Sequence, residues 1–203
     1  LSLHDALPIL RAGVALLGLR ITVAQVTALG WATGVLALLG VASTIGLGLL
    51  LARTLRRPTA EGLVSGCAVG ICGASAALAV SSVLPQTKEN ERFTLLAVVG
   101  VTLLSTLAMV VYPLVARLAG MSPAQAGVFF GGTIHDVAQV VAAGMMLSEA
   151  GNTAAADSAT VVKLFRVMLL KPVVLLVALA TRPASVAADA EDERSEEHTS
   201  ELQ

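Results

Sequence analysis

Phe129–Gly144 reads FFGGTIHDVAQVVAAG and sets a glycine pair, a threonine, a histidine, an aspartate and a glutamine in a chain that is otherwise mostly Ala, Val, Leu and Gly. At about 100° per residue, His135, Asp136 and Gln139 fall within ~100° of one another on a helix, with small Gly132, Ala142 and Ala143 sharing or flanking that arc. The bulkier Ile134, Val137, Val140 and Val141 lie elsewhere on the circumference. A polar stripe bordered by small residues suits a helix that faces a protein interior or a wet cavity. It does not suit a helix with lipid on all sides.

Working outward, the two ends have a different character. Leu1–Ile9, LSLHDALPI, is the translation of CTT TCC CTA CAC GAC GCT CTT CCG ATC. Arg194–Gln203, RSEEHTSELQ, is the translation of AGA TCG GAA GAG CAC ACG TCT GAA CTC CAG. These are the two companion adapters of short-read sequencing, so residues 1–9 and 194–203 are expected to carry neither fold nor function. The natural sequence is expected to run from Leu10 to Glu193, an internal piece of a longer protein. Within it His135 is the only histidine, and 12 basic residues face 10 acidic ones, a net charge of +2.

Hydrophobic residues make up 56% of the chain and charged residues 13%, with a mean hydropathy of +0.83. Soluble domains hold about 25% charged residues, so the long apolar runs predict an all-α polytopic membrane protein. Trp31–Ala52 is the clearest span, with Trp31 as an interfacial anchor and Arg53, Arg56 and Arg57 behind it before Pro58. Leu10–Leu19, closed by Arg20, reads as the end of another span, and Thr22–Leu29 as a linker. Phe93–Ala116 and Thr160–Thr181 are further spans, Pro113 marking a kink near the end of the first. Gln86–Arg92 and Ser148–Ala159 read as loops. Ser122 and Pro123 resemble an N-cap followed by proline at the first helical position. The Arg53–Arg57 stretch is the best candidate for a cytoplasmic loop.

Gly62–Leu84 is the second unusual segment. Gly62, Gly66, Gly70 and Ala74 recur every four residues, a ridge that lets another helix approach closely. Gly70 and Gly73 then bracket Ile71 and Cys72. Close packing alone would account for them, and so would a discontinuous helix whose free N–H groups line a site. Cys67 and Cys72 lack CxxC spacing and read as small packing residues.

His135 and Asp136 are the native histidine and acid placed at membrane depth, where ionisable groups usually face a cavity and serve transport or proton movement. The plain alternative is that both sit beside a helix break and satisfy backbone groups. Lys163 and Arg166 lie about 60° apart on one helix face; they could pair with Asp136, bind an anion or snorkel. If the helix restarts at Gly131, Gly132 and Thr133, its N-terminus offers an anion site. No second histidine or HExxH motif supports a metal site. No obvious nucleophile supports an enzyme, and no basic face supports nucleic-acid binding.

GVALLGLRIT (Gly13–Thr22), GICGASAAL (Gly70–Leu78), GGTIHDVAQVVAAG (Gly131–Gly144) and KLFRVMLLKP (Lys163–Pro172) together resemble the UPF0324 family, the sulfate exporter family transporters. The resemblance covers almost all of Leu10–Glu193. Two positions depart from it: Gly70 stands where Ser is expected, and Lys171 where an apolar residue is. It implies a fold similar to sodium/proton antiporters and bile-acid symporters: two inverted repeats with crossing discontinuous helices, of which residues 10–193 hold about five to six helical segments. The expected function is a secondary transporter, multi-pass in the bacterial inner membrane, exporting a small inorganic or organic anion such as sulfate. Coupling would be to H+ or Na+, with no other cofactor. Ligand or ion contact is expected from Cys72, Gly73, Ser75, Gly131, Gly132, Thr133, His135, Asp136, Gln139, Lys163 and Arg166. Partners are the anion and the lipid bilayer, and a homo-oligomer is compatible with the sequence. The alternatives are a cation/proton antiporter using Asp136 and a non-transporting structural or regulatory membrane protein.

Overall fold

The structure is a computed structural model that describes residues 30–147 and 153–181, with side chains from residue 33 onward. The expectations for Leu1–Ile9, Leu10–Leu19, Thr22–Leu29 and Arg194–Gln203, and for the Trp31 side chain, lie outside the described residues. Among the described residues every regular element is helical: α1 (Gly30–Thr54), α2 (Thr59–Cys67), a π-helical turn (Ala68–Cys72), α3 (Ala74–Ser81), α4 (Lys88–Leu118), α5 (Pro123–Thr133), α6 (Val137–Leu147) and α7 (Ala154–Met168). A final helix, α8, covers 170–181. Three stretches are long and apolar enough to cross a membrane: Thr33–Thr54, Lys88–Leu118 and Ala154–Thr181. Leu36, Leu47 and Leu50 on α1 and Leu96, Leu103 and Leu107 on α4 are exposed, as suits helices surrounded by hydrocarbon. The chain is a multi-pass α-helical membrane protein.

The element ends follow local chemistry. Ser122 caps α5 through its hydroxyl, Gln125 bonds back to the Ser122 amide, and Pro123 fills the first turn, completing a capping box. The expected loop Gln86–Arg92 is shorter than read, because α4 starts at Lys88 with Thr87 Oγ1 accepting from the Asn90 amide. α4 continues through Pro113. α7 begins at Ala154, inside the expected loop Ser148–Ala159, of which residues 148–152 lie outside the described residues. Helical structure lapses at Leu169, where Pro172 can supply no N–H to the carbonyl four residues back.

The chain divides into two compact units. In the unit formed by 43–102 and 169–181, the glycine ridge does what its spacing suggests. A Cβ at Gly66 would stand 2.9 Å from Ile45 Cα, one at Gly62 2.8 Å from the Gly48 carbonyl oxygen, and one at Gly48 2.6 Å from the Gly62 oxygen. α2 therefore lies directly against the backbone of α1. Beyond it the helix is indeed discontinuous. The Gly73 amide donates to the Ala68 carbonyl at 2.8 Å, one residue further back than in an α-helix. Gly73 itself takes φ 70° and ψ −127°, a conformation open in practice only to glycine. At the start of α2, Arg57 makes a two-point ion pair with Glu61 at 2.9 and 2.8 Å, and this bond and charge raise the arginine pKa above its ordinary value.

The other unit comprises 30–42, 103–147 and 153–168. Its core is Ala108, Ala116, Ala126, Phe130, Ile134, Val140, Ala143 and Ala159, with the tilted rings of Tyr112 and Phe129 5.0 Å apart between centroids. α5 and α6 lie against α7 through glycines. A Cβ at Gly127, Gly131 or Gly144 would come within 2.5 Å of Ser158, Ala159 or Ala156 respectively. The resulting closeness of backbones brings the polar half of α7 to the gap between α5 and α6.

Candidate functional site

The opening stretch is not one helix. α5 ends at Thr133, Ile134 is extended at φ −75° and ψ 138°, and α6 starts at Val137. His135 and Asp136 thus occupy a break rather than a helical face, and the stripe drawn at 100° per residue does not form. The expectation that a helix restarts at Gly131–Thr133 is corrected in the same way. These residues are the C-terminal turn of α5 and present carbonyls where amide N–H groups were expected.

The carbonyls are where the buried cations go. Lys163, fully buried, donates from Nζ to the Ile134 oxygen at 3.0 Å. Arg166, 5% exposed, donates from Nη1 to the Gly131 oxygen at 3.1 Å and also to the Gly132 oxygen. The last carbonyls of a helix lack intrahelical partners and carry the negative end of its dipole, so two cations are held there by charge and hydrogen bonding together. Thr133 bonds back to the Phe129 oxygen and closes the turn.

The other lip of the break has the opposite polarity. Asp136 Oδ1 accepts from the amides of Ala138 at 2.8 Å and Gln139 at 3.4 Å, capping the positive end of α6. The backbone amides of His135 and Asp136 both donate to Ser105 Oγ at 3.2 Å, and Gln139 Nε2 donates to Thr106 Oγ1 at 2.9 Å. His135 Nδ1 and Gln139 Oε1 are buried and have no partner. The far end of α6 is tied by Arg117, which donates to the Met146 oxygen at 2.8 Å.

One unit therefore brings together Gly131, Gly132, Thr133, His135, Asp136, Gln139, Lys163 and Arg166. Cys72, Gly73 and Ser75 belong to the other unit, where Cys72 Sγ lies 2.8 Å from Ser75 Oγ. Cys67 and Cys72 are both free and buried, as packing residues are. Among the described residues no cluster of His, Cys, Asp and Glu could hold a metal ion.

Two residues of the site are missing from the sequence reading. Ser105 and Thr106 sit mid-span in α4, where a hydroxyl ordinarily bonds its own helix four residues back and passes as neutral. Their only sequence signal is an adjacent Ser–Thr pair in an apolar run. Ser105→Ala removes, at a fully buried side chain, the acceptor of two part-buried amides, and is expected to destabilise the full-length protein by about 1–3 kcal/mol. Reversible unfolding in detergent measures this, and an unchanged midpoint would show that the hydroxyl does not hold the break.

The model of the family described as conserved hypothetical protein 698 matches residues 4–199. A UPF0324 membrane protein of Chlorobaculum tepidum is 50% identical over 171 residues, 84% of this chain and 47% of its own length. One from Rhizobium meliloti is 50% identical over 175 residues, 86% of this chain and 49% of its own. The UPF0324 membrane protein TauZ of Paracoccus pantotrophus is 48% identical over 180 residues, 88% of this chain and 52% of its own. The chain spans about half the length of these curated relatives. No solved structure matches it. With its membrane-spanning helices and the match along nearly its whole length, the chain belongs to the UPF0324 family of membrane proteins.

Proposed function

We propose that the full-length protein is a secondary transporter of the bacterial inner membrane that exports a small anion, such as sulfate or a related sulfur oxyanion. The observation that carries this is the burial of Lys163 and Arg166 at a helix break. Ionisable groups are costly at membrane depth and are kept where a charged species must be met. Interrupted helices are the means by which such transporters expose backbone polar groups to a substrate. The proposal includes the inverted-repeat architecture, with the breaks at Gly73 and at Ile134–Asp136 as its support. In it Arg166, held at the carbonyls of Gly131 and Gly132, is the ligand's counter-charge.

Efflux of labelled sulfate, sulfite or an alkanesulfonate from proteoliposomes of the full-length protein tests the proposal. His135→Ala is expected to slow efflux roughly ten- to a hundredfold, the worth of one charge-assisted hydrogen bond. Asp136→Asn keeps the cap of α6, since Asn caps as well as Asp, and so reports on the charge alone. Sodium or proton exchange without any anion would favour antiport through Asp136. No flux of any kind would favour a structural or regulatory protein.

A further inference from the structure

Resting on the anion-transport reading, we propose that the site binds a proton together with its anion, and that His135 rather than Asp136 carries that proton. Four ionisable side chains meet at the break, and three of them are already engaged. Lys163 and Arg166 are fixed on the carbonyls of Ile134, Gly131 and Gly132. The Asp136 carboxylate is fixed on the first amides of α6. A proton added to it would weaken the cap and uncover the end of a helix dipole.

His135 is different. Its backbone is anchored by Ser105, but ring atom Nδ1 is buried and has no partner. The groups that α4 brings to the break, Ser105 and Thr106, are neutral. The charges acting on the imidazole from α7 are those of Lys163 and Arg166. A proton taken from bulk water onto Nδ1 would form a third positive charge beside two fixed ones. Burial opposes that step first and the two cations oppose it further, whereas an anion that brings negative charge within a few ångströms favours it. By reciprocity, whatever the anion does for the proton, the proton does for the anion. The two therefore bind cooperatively and cross in the same direction.

The test uses the full-length protein in proteoliposomes containing a pH-sensitive dye, with labelled sulfate and a labelled alkanesulfonate as probes, because neither titrates near neutrality. About one proton is expected to accompany each anion, and the apparent affinity is expected to rise about tenfold for each unit the pH falls across the titration of His135. In His135→Gln the proton-to-anion ratio of the remaining flux is expected to fall to zero and the pH dependence to flatten. Anion flux without proton movement in the wild type would overturn the coupling and leave transport standing. So would opposed proton movement, or coupling that survives His135→Gln and disappears in Asp136→Asn. Absence of flux for both probes would overturn the transport proposal and the coupling with it.

Discussion

Gly131→Ala in the full-length protein is expected to lower its stability by about 1–3 kcal/mol, whereas Gly132→Ala, one residue on, should leave it unchanged or raise it by up to about 1 kcal/mol. The substitution is the same and both positions are helical, so the difference lies in what each Cβ meets. At Gly131 it would stand 2.5 Å from the Ala159 oxygen and 2.8 Å from Val162 Cβ, both on α7. Neither a backbone oxygen nor a β-branched Cβ can swing aside, so α5 must move off α7. At Gly132 nothing lies within 4 Å, and the methyl group only improves helix propensity. The separation of α5 from α7 also draws the α5 carbonyls away from Lys163 and Arg166, so Gly131→Ala is expected to lose anion flux as well. Unfolding midpoints in detergent and efflux rates for the two variants are the measurements. Equal effects at both positions would show that the seam is not as tight as the geometry states.

Arg166→Leu carries the second large effect. The guanidinium serves the carbonyls of Gly131 and Gly132. A buried carbonyl stripped of its partner costs about 1–3 kcal/mol, so the loss is about 1–3 kcal/mol at Gly131 and less at the part-buried Gly132. The neutral leucine does remove one desolvated charge, which offsets part of that loss. Arg166→Lys is expected to recover only part of the stability, because a single ammonium on a differently shaped stem does not reproduce a planar fork. Efflux should fall in both variants, more in Arg166→Leu. Full stability in Arg166→Leu would mean that the carbonyls are satisfied without the guanidinium.

Much of this arrangement was legible in the residues. Apolar run lengths marked the spans, Ser122–Pro123 marked the start of α5, and the four-residue glycine spacing marked the seam between α1 and α2. The existence of a break near the glycine pair was legible too, but its place and polarity were not. Helical periodicity carries His135 and Asp136 round the same cylinder as Gln139. It takes no account of Ser105, thirty residues earlier, which draws their amides out of the helix. Gly131 looked like a helix breaker and is a packing residue, because what decides it is the backbone of α7. The same distance in sequence hid the partners of Lys163 and Arg166, since nothing local says that a lysine will find the carbonyl of Ile134.

The opposed polarity of the two lips has an electrical consequence. Lys163, Arg166 and Asp136 belong to one compact unit and together carry a formal charge of +1. Moving a unit charge through the membrane potential involves about 2.3 kcal/mol per 100 mV. A divalent oxyanion would turn this +1 into −1, and a proton arriving with it would bring the loaded site to zero. Voltage would then act on the return of the empty site and leave the loaded crossing nearly untouched. The rate of cycling, more than the affinity for the anion, would be what the membrane potential sets.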